Sequence, residues 1–259
     1  MKIYNIECKT NICESKTQKY ILSAVDFLCS NANVDKLCFD LLCLVSKNFL
    51  RDINSYHGET QNDNNGNAIF IPTFFQKNTD RKDIIIINWK KIEEKQYDED
   101  FIISIFIHEF SHFIDYRLCP ILEKRYSIHF SLDIKFDSCD DIIFGLFQMQ
   151  SEMRAKYFQE KYECMVNNSK ENIIRHINEY AAQLNSMDDT YNIAHLTGQF
   201  LCWKEFAGDD DDILSALHFV ETQLNLIWEL RPDYRIDNLF TKESFIDKCN
   251  ELYKIFTNK

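Results

Sequence analysis

His108, Glu109 and His112 spell H-E-x-x-H inside an apolar run, residues 101–118. On an α-helix the two histidines lie one turn apart on one face, so both imidazoles can aim a ring nitrogen at a single ion. Glu109 sits about 100° round the helix from His108, near enough to reach a water on that ion without ligating it. This is zinc hydrolase chemistry: two imidazoles fix the ion, and the carboxylate takes a proton from the water it has acidified. Ile102, Ile103, Ile105, Phe106, Ile107, Phe110, Phe113 and Ile114 leave the helix almost no polar face, so it is expected to be buried all round. Three polar side chains there are costly to desolvate, and a divalent cation is a partner that suits them all. The plain alternative is two satisfied core histidines and a chance Glu. With 7 His and 18 Glu in 259 residues, however, chance supplies this pattern only about 0.01 times.

A hydrolytic zinc takes three protein ligands and keeps a fourth place for water. In the elongated pattern H-E-x-x-H-x-x-G-x-x-H the third His would stand at 118. That position is Leu, and Asp115 stands where the Gly belongs, which excludes the elongated form. The other arrangement draws a Glu from a later helix. Glu152 opens E-M-R-A-K-Y-F, a helical stretch with small Ala155 one turn on. In HEFSHFID followed by this ExxA stretch, the chain resembles the gluzincin metallopeptidases, and within them the ImmA/IrrE-like peptidases and the catalytic domain of the anthrax lethal factor family. The resemblance spans residues 68–163. It implies a zincin-like fold with His108, His112 and Glu152 as zinc ligands and Glu109 as general base. Lys156 stands where many gluzincins place an Asp that orients a ligand histidine, and no helix-turn-helix pattern is evident.

Rivals for the third ligand are His129, Asp133, Asp137, Asp140 and Asp141, with His129 foremost. Asp115 shares a face with His108 and is read either as an acceptor orienting an imidazole or as an exposed charge ending the helix. An oxyanion donor is expected among Tyr116, Tyr157, His129, His195 and His218.

The elements that must position these residues follow from composition and pattern. The chain is 45% hydrophobic and 27% charged, with only 5 Gly and 3 Pro, which argues for a real core and few tight turns. We expect an α+β, mainly helical fold: a small sheet, a buried site-bearing helix and a C-terminal helical region. Residues 1–17 are polar and uninformative. Helices are expected over 20–28 and 34–50, then a loop over 61–67. An antiparallel pair of strands follows over 68–75 and 83–89, whose edge could pair with an extended peptide. Asp98, Glu99 and Asp100 suit the start of the site helix, and Arg117 with Pro120 its end. Residues 127–141 read as irregular, 142–166 as helix, and further helices as near 173–184, 191–206, 213–230 and 242–256. The acidic run 209–212 reads as a solvated loop or helix start. Domain organisation is expected as a zincin-like catalytic domain over 1–166 and a helical C-terminal region over 167–259, the latter fitting either as a separate region or as part of the same domain.

A net charge of −12 argues against general nucleic-acid binding. The 10 Cys form no CxxC or Cys/His cluster, and Cys38 and Cys43 read as buried free thiols. No apolar signal core opens the chain and no stretch approaches 18 uninterrupted apolar residues, so no membrane partner is expected. A cytoplasmic location follows, or secretion by a route without a cleaved signal. The functional expectation is a Zn2+-dependent metallopeptidase acting on a peptide or protein substrate. The alternative is a binding or regulatory protein that keeps the scaffold without turnover.

Overall fold

The computed structural model describes residues 4–10, 14–32, 39–58, 60–62, 64–77, 82–118, 138–167, 169–184 and 190–229. They build an α+β, mainly helical protein whose chain divides into two compact units, Met1–Lys135 and Phe136–Lys259. The division lies ahead of the helix that carries Glu152, whereas the sequence reading placed its boundary after that helix.

The first unit holds a four-stranded sheet of β1 (Tyr4–Thr10), β2 (Phe39–Ser46), β3 (Ala68–Ile71) and β4 (Asp83–Asn88), in the order β1-β2-β4-β3. β1, β2 and β4 run parallel, and β3 pairs antiparallel with β4 at the edge. The expected β3–β4 pair is therefore present. Its first strand stops at Ile71, because Pro72 leads into a 3-10 turn over Thr73–Phe75. The helix expected over 34–50 is not there: 39–46 is β2. Leu41, Leu42, Cys43 and Val45 are all buried, so both faces of this central strand are covered. A parallel strand buried on both faces reads as a continuous apolar run, which periodicity cannot tell from a buried helix. Cys43 is a buried free thiol, and Cys38 lies outside the described residues. Residues 4–10, where no element was expected, form β1.

Alternation along the strands sorts the core. Leu42, Ile71, Ile84 and Ile86 pack with Phe49 and Ile53 of α2 (Phe49–Tyr56) on one face. Ile85 and Ile87, of the opposite parity, are buried as well. After the short α3 (Trp89–Lys95), α4 (Glu99–Leu118) packs against β3 and against α1 (Glu14–Asn31). Phe70 of β3 meets the rings of Phe113 and Tyr116 edge-on, at centroid distances of 6.2 and 5.3 Å.

Both ends of α4 are tied down. Asp98 Oδ1 accepts the backbone N–H of Phe101 at 2.8 Å and caps the helix. Glu99 pairs with Lys16 and Lys19 of α1 at 3.2 and 3.0 Å and accepts from the Tyr20 hydroxyl. At the other end Arg117 lies 2.7 Å from Asp83 Oδ2, while Asp83 Oδ1 accepts both the N–H and the hydroxyl of Thr73. Arg117 thus ties α4 to the first residue of β4, which a basic residue at a helix end does not by itself reveal.

Four helices make up most of the second unit's described residues: α5 (Ser138–Val166), α6 (Lys170–Leu184), α7 (Thr190–Ala207) and α8 (Asp211–Glu229). These match the expected helices, with α5 starting four residues early; the stretch 242–256 lies outside the described residues. Met153, Ile177, Leu196, Phe200, Trp203, Leu217 and Val220 form its core. The acidic run is a helix start: Asp210 Oδ1 accepts from the N–H groups of Asp212 and Ile213, and Lys170 bridges Asp210 and Asp212.

A carboxylate sits within this core. Glu160, 2% exposed, accepts from Trp203 Nε1 at 2.8 Å and Gln199 Nε2 at 3.0 Å, with His176 Nδ1 at 3.8 Å. Burial pushes its carboxyl up, but His176, Lys156, Gln199 and Trp203 together outweigh burial and hold it below its ordinary 4.5. His176 is raised above 6.5 by Glu160, against burial and Arg175 and with help from Glu163. The stability this pair adds is present between those two ordinary values. It is lost as pH falls through the lowered Glu160 value or rises through the raised His176 value. His176→Gln should therefore reduce the fall in melting temperature between pH 6 and 8 relative to wild type, as read by thermal unfolding across pH. Parallel curves for the two proteins would show that the pair contributes nothing.

Candidate metal centre

In the first unit, α4 turns three polar side chains inward: His108, Glu109 and His112 are 9%, 7% and 8% exposed. The helix folds locally as its sequence dictates, with an Asp cap, acidic residues in its first turn and Arg117 in its last. Being apolar on most sides, it is buried from Ile102 to Asp115, with Phe106, Ile107, Phe110 and Phe113 at 0% exposure. The spacing of four brings the imidazoles together, with Nε2 of His108 and Nε2 of His112 at 3.2 Å and the rings at 79°. Two nitrogens bound at about 2.05 Å to one tetrahedral ion stand about 3.3 Å apart, so the pair already has the separation of two zinc ligands. The same distance would suit an N–H donated from one ring to the other.

Asp115 is 0% exposed. That overturns the reading of it as an exposed charge at the helix end.

In the second unit, Glu152 stands on α5, with Ala155 fully buried one turn on. Its Oε2 lies 2.9 Å from Nε2 of His195 on α7, and its side chain is 19% exposed. By residue type, His108, His112 and Glu152 are donors that suit a metal ion. Two imidazole nitrogens and one carboxylate oxygen are the ligands of a hydrolytic zinc, and the same set suits other borderline divalent ions. Of the rivals, His129, Asp133 and Asp137 lie outside the described residues, and Asp140 and Asp141 stand in the first turn of α5.

The candidates for stabilising an oxyanion separate. The Tyr157 hydroxyl bonds Glu205, which Lys161 also pairs at 2.7 Å, and the Tyr157 hydroxyl is raised by burial and by Glu205. His218 is exposed on α8, and the ring of Tyr116 packs on Phe70. His195 bonds Glu152, a proposed ligand.

One positioning residue escaped the sequence reading. A Cβ on Gly198 of α7 would lie 2.2 Å from the Met153 carbonyl oxygen and 3.0 Å from the Tyr157 nitrogen, so α7 meets the backbone of α5 at this point. The approach places His195 on Glu152 and, one and two turns on, Gln199 and Trp203 on Glu160. A lone glycine inside an apolar helical pattern was the available signal.

No family model, curated protein or solved structure matches the chain.

In an isolated helix, Gly198→Ala would gain about 1 kcal/mol of propensity. Here the backbone contact should reverse the sign, because overpacking a rigid contact costs about 1–3 kcal/mol. We expect a net loss of up to about 2 kcal/mol in urea unfolding. A stabilised variant would mean that α5 and α7 are not held this close.

Proposed function

We propose that the protein is a zinc metallopeptidase of the gluzincin type, in which His108, His112 and Glu152 hold the ion and Glu109 is the general base. The observation that carries this reading is the pair of imidazole nitrogens 3.2 Å apart on a buried helix, with a buried carboxylate next to the first of them in sequence. The resemblance of HEFSHFID and the downstream ExxA to that group of peptidases supports it, and so does the fit of the donor set to a metal.

A divalent ion in such a set acidifies water and polarises a carbonyl. His108 and His112 contribute neutral imidazoles whose spacing is set by one turn of α4 and needs no rearrangement. Glu109 accepts the proton of the attacking water and passes it to the leaving amine as the peptide bond breaks. The apolar surroundings of α4 keep bulk water from these groups, which strengthens the electrostatics of the step. β3, at the sheet edge, offers backbone groups to an extended peptide.

The test is metal content by elemental analysis together with cleavage of a peptide library, with and without a chelator. Wild type should carry about one zinc per chain and lose cleavage on chelation. Glu109→Gln should keep the metal and lose at least about a hundredfold in rate. Glu152→Ala should lose the metal. A metal-free wild type would refute the proposal. Bound metal without cleavage of any peptide would favour a binding or regulatory role.

A further inference from the structure

We propose that His195 is the positioning residue of the third ligand: its Nε2–H holds Oε2 of Glu152, so that the carboxylate offers a single oxygen, Oε1, to the ion. This rests on the assignment of Glu152 as a ligand.

A metal-binding carboxylate is ionised and has no proton to give, so in the 2.9 Å contact the imidazole must be the donor and Nε2 must carry the hydrogen. The contact joins two helices through side chains rather than chain neighbours, 43 residues apart. Its geometry is held from below. Gly198, three residues after His195, seats α7 on the backbone of α5 beside Met153, the residue after Glu152. Gln199 and Trp203 then lock the same two helices at Glu160. His195 is consequently carried by a braced helix rather than by a loop, as a positioning group requires.

A glutamate ligand can close on an ion with one oxygen or with both. With Oε2 held by His195, two-oxygen binding is resisted and the fourth coordination place stays open for water. Partners that orient ligands in this way are worth about 10–100-fold in metal affinity.

The experiment uses the full chain as wild type, His195→Ala, His195→Gln and Glu152→Ala, each checked for folding by circular dichroism. Zinc affinity is measured by competition with a chromogenic chelator, and the visible spectrum is recorded with Co2+ at saturation. His195→Ala should weaken zinc binding about 10–100-fold. It should also reduce the intensity of the cobalt bands, as four-coordinate Co2+ gives way to a higher coordination number. The Gln amide keeps an N–H for Oε2, so His195→Gln should recover most of both. Unchanged affinity and spectrum in His195→Ala, with metal lost in Glu152→Ala, would overturn the role of His195 and leave the metal site standing. A loss in His195→Ala that His195→Gln does not recover would also overturn it, pointing to direct ligation by His195. Wild type that binds neither metal would instead refute the reading of the site itself.

Discussion

A buried polar group must find a polar partner, and that constraint shapes α4 more than any propensity does. Between Ile102 and Ile114 the helix is apolar enough to sit inside the first unit, yet it carries His108, Glu109, His112 and, one turn later, Asp115 at 9% exposure or less. Nothing in helix formation asks for these residues. The ends of α4 are held by Asp98, the Glu99 pairs with α1 and the Arg117–Asp83 pair, so the middle is placed by the frame around it. The imidazoles then approach to 3.2 Å because a spacing of four leaves them nowhere else to go on one face.

In the second unit the corresponding constraint is backbone proximity. α5 and α7 touch at Gly198, and side chains pair on both sides of the contact: His195 with Glu152 before it, Gln199 and Trp203 with Glu160 after it. A side chain at 198 would spread the helices and lengthen all of these bonds together. The packing is therefore cooperative, with one missing Cβ underwriting contacts to two carboxylates.

Much of this was legible in the sequence, and the remainder was hidden for physical reasons. α4 could be read because its motif, its acidic start and its apolar flanks all favour one helix. The β3–β4 pair could be read from Ile-rich runs bounded by polar residues. β2 could not, since Leu41, Leu42, Leu44 and Val45 satisfy a helical pattern as well as a doubly buried strand. β1 pairs in parallel with β2 across the whole of α1, and parallel partners leave no turn signature between them. Glu152 emerged from its local stretch, but its contact with His195 did not. It depends on α7 returning beside α5 after the intervening α6, and that is a tertiary fact.

The hardest distinction is between two carboxylates on the same helix. Glu152 and Glu160 are eight residues apart on α5, near one stripe, and of the two Glu152 has the small Ala155 one turn on where Glu160 has Glu163. Their surroundings separate them. Glu160 is 2% exposed, takes N–H groups from a tryptophan and a glutamine, and faces a raised His176, so its charge is used up in holding helices together. Glu152 keeps 19% of its side chain exposed and receives an imidazole at one oxygen. A carboxylate saturated with donors gains little from a cation. Glu152, partly open to solvent, is the one of the two that a cation can still approach.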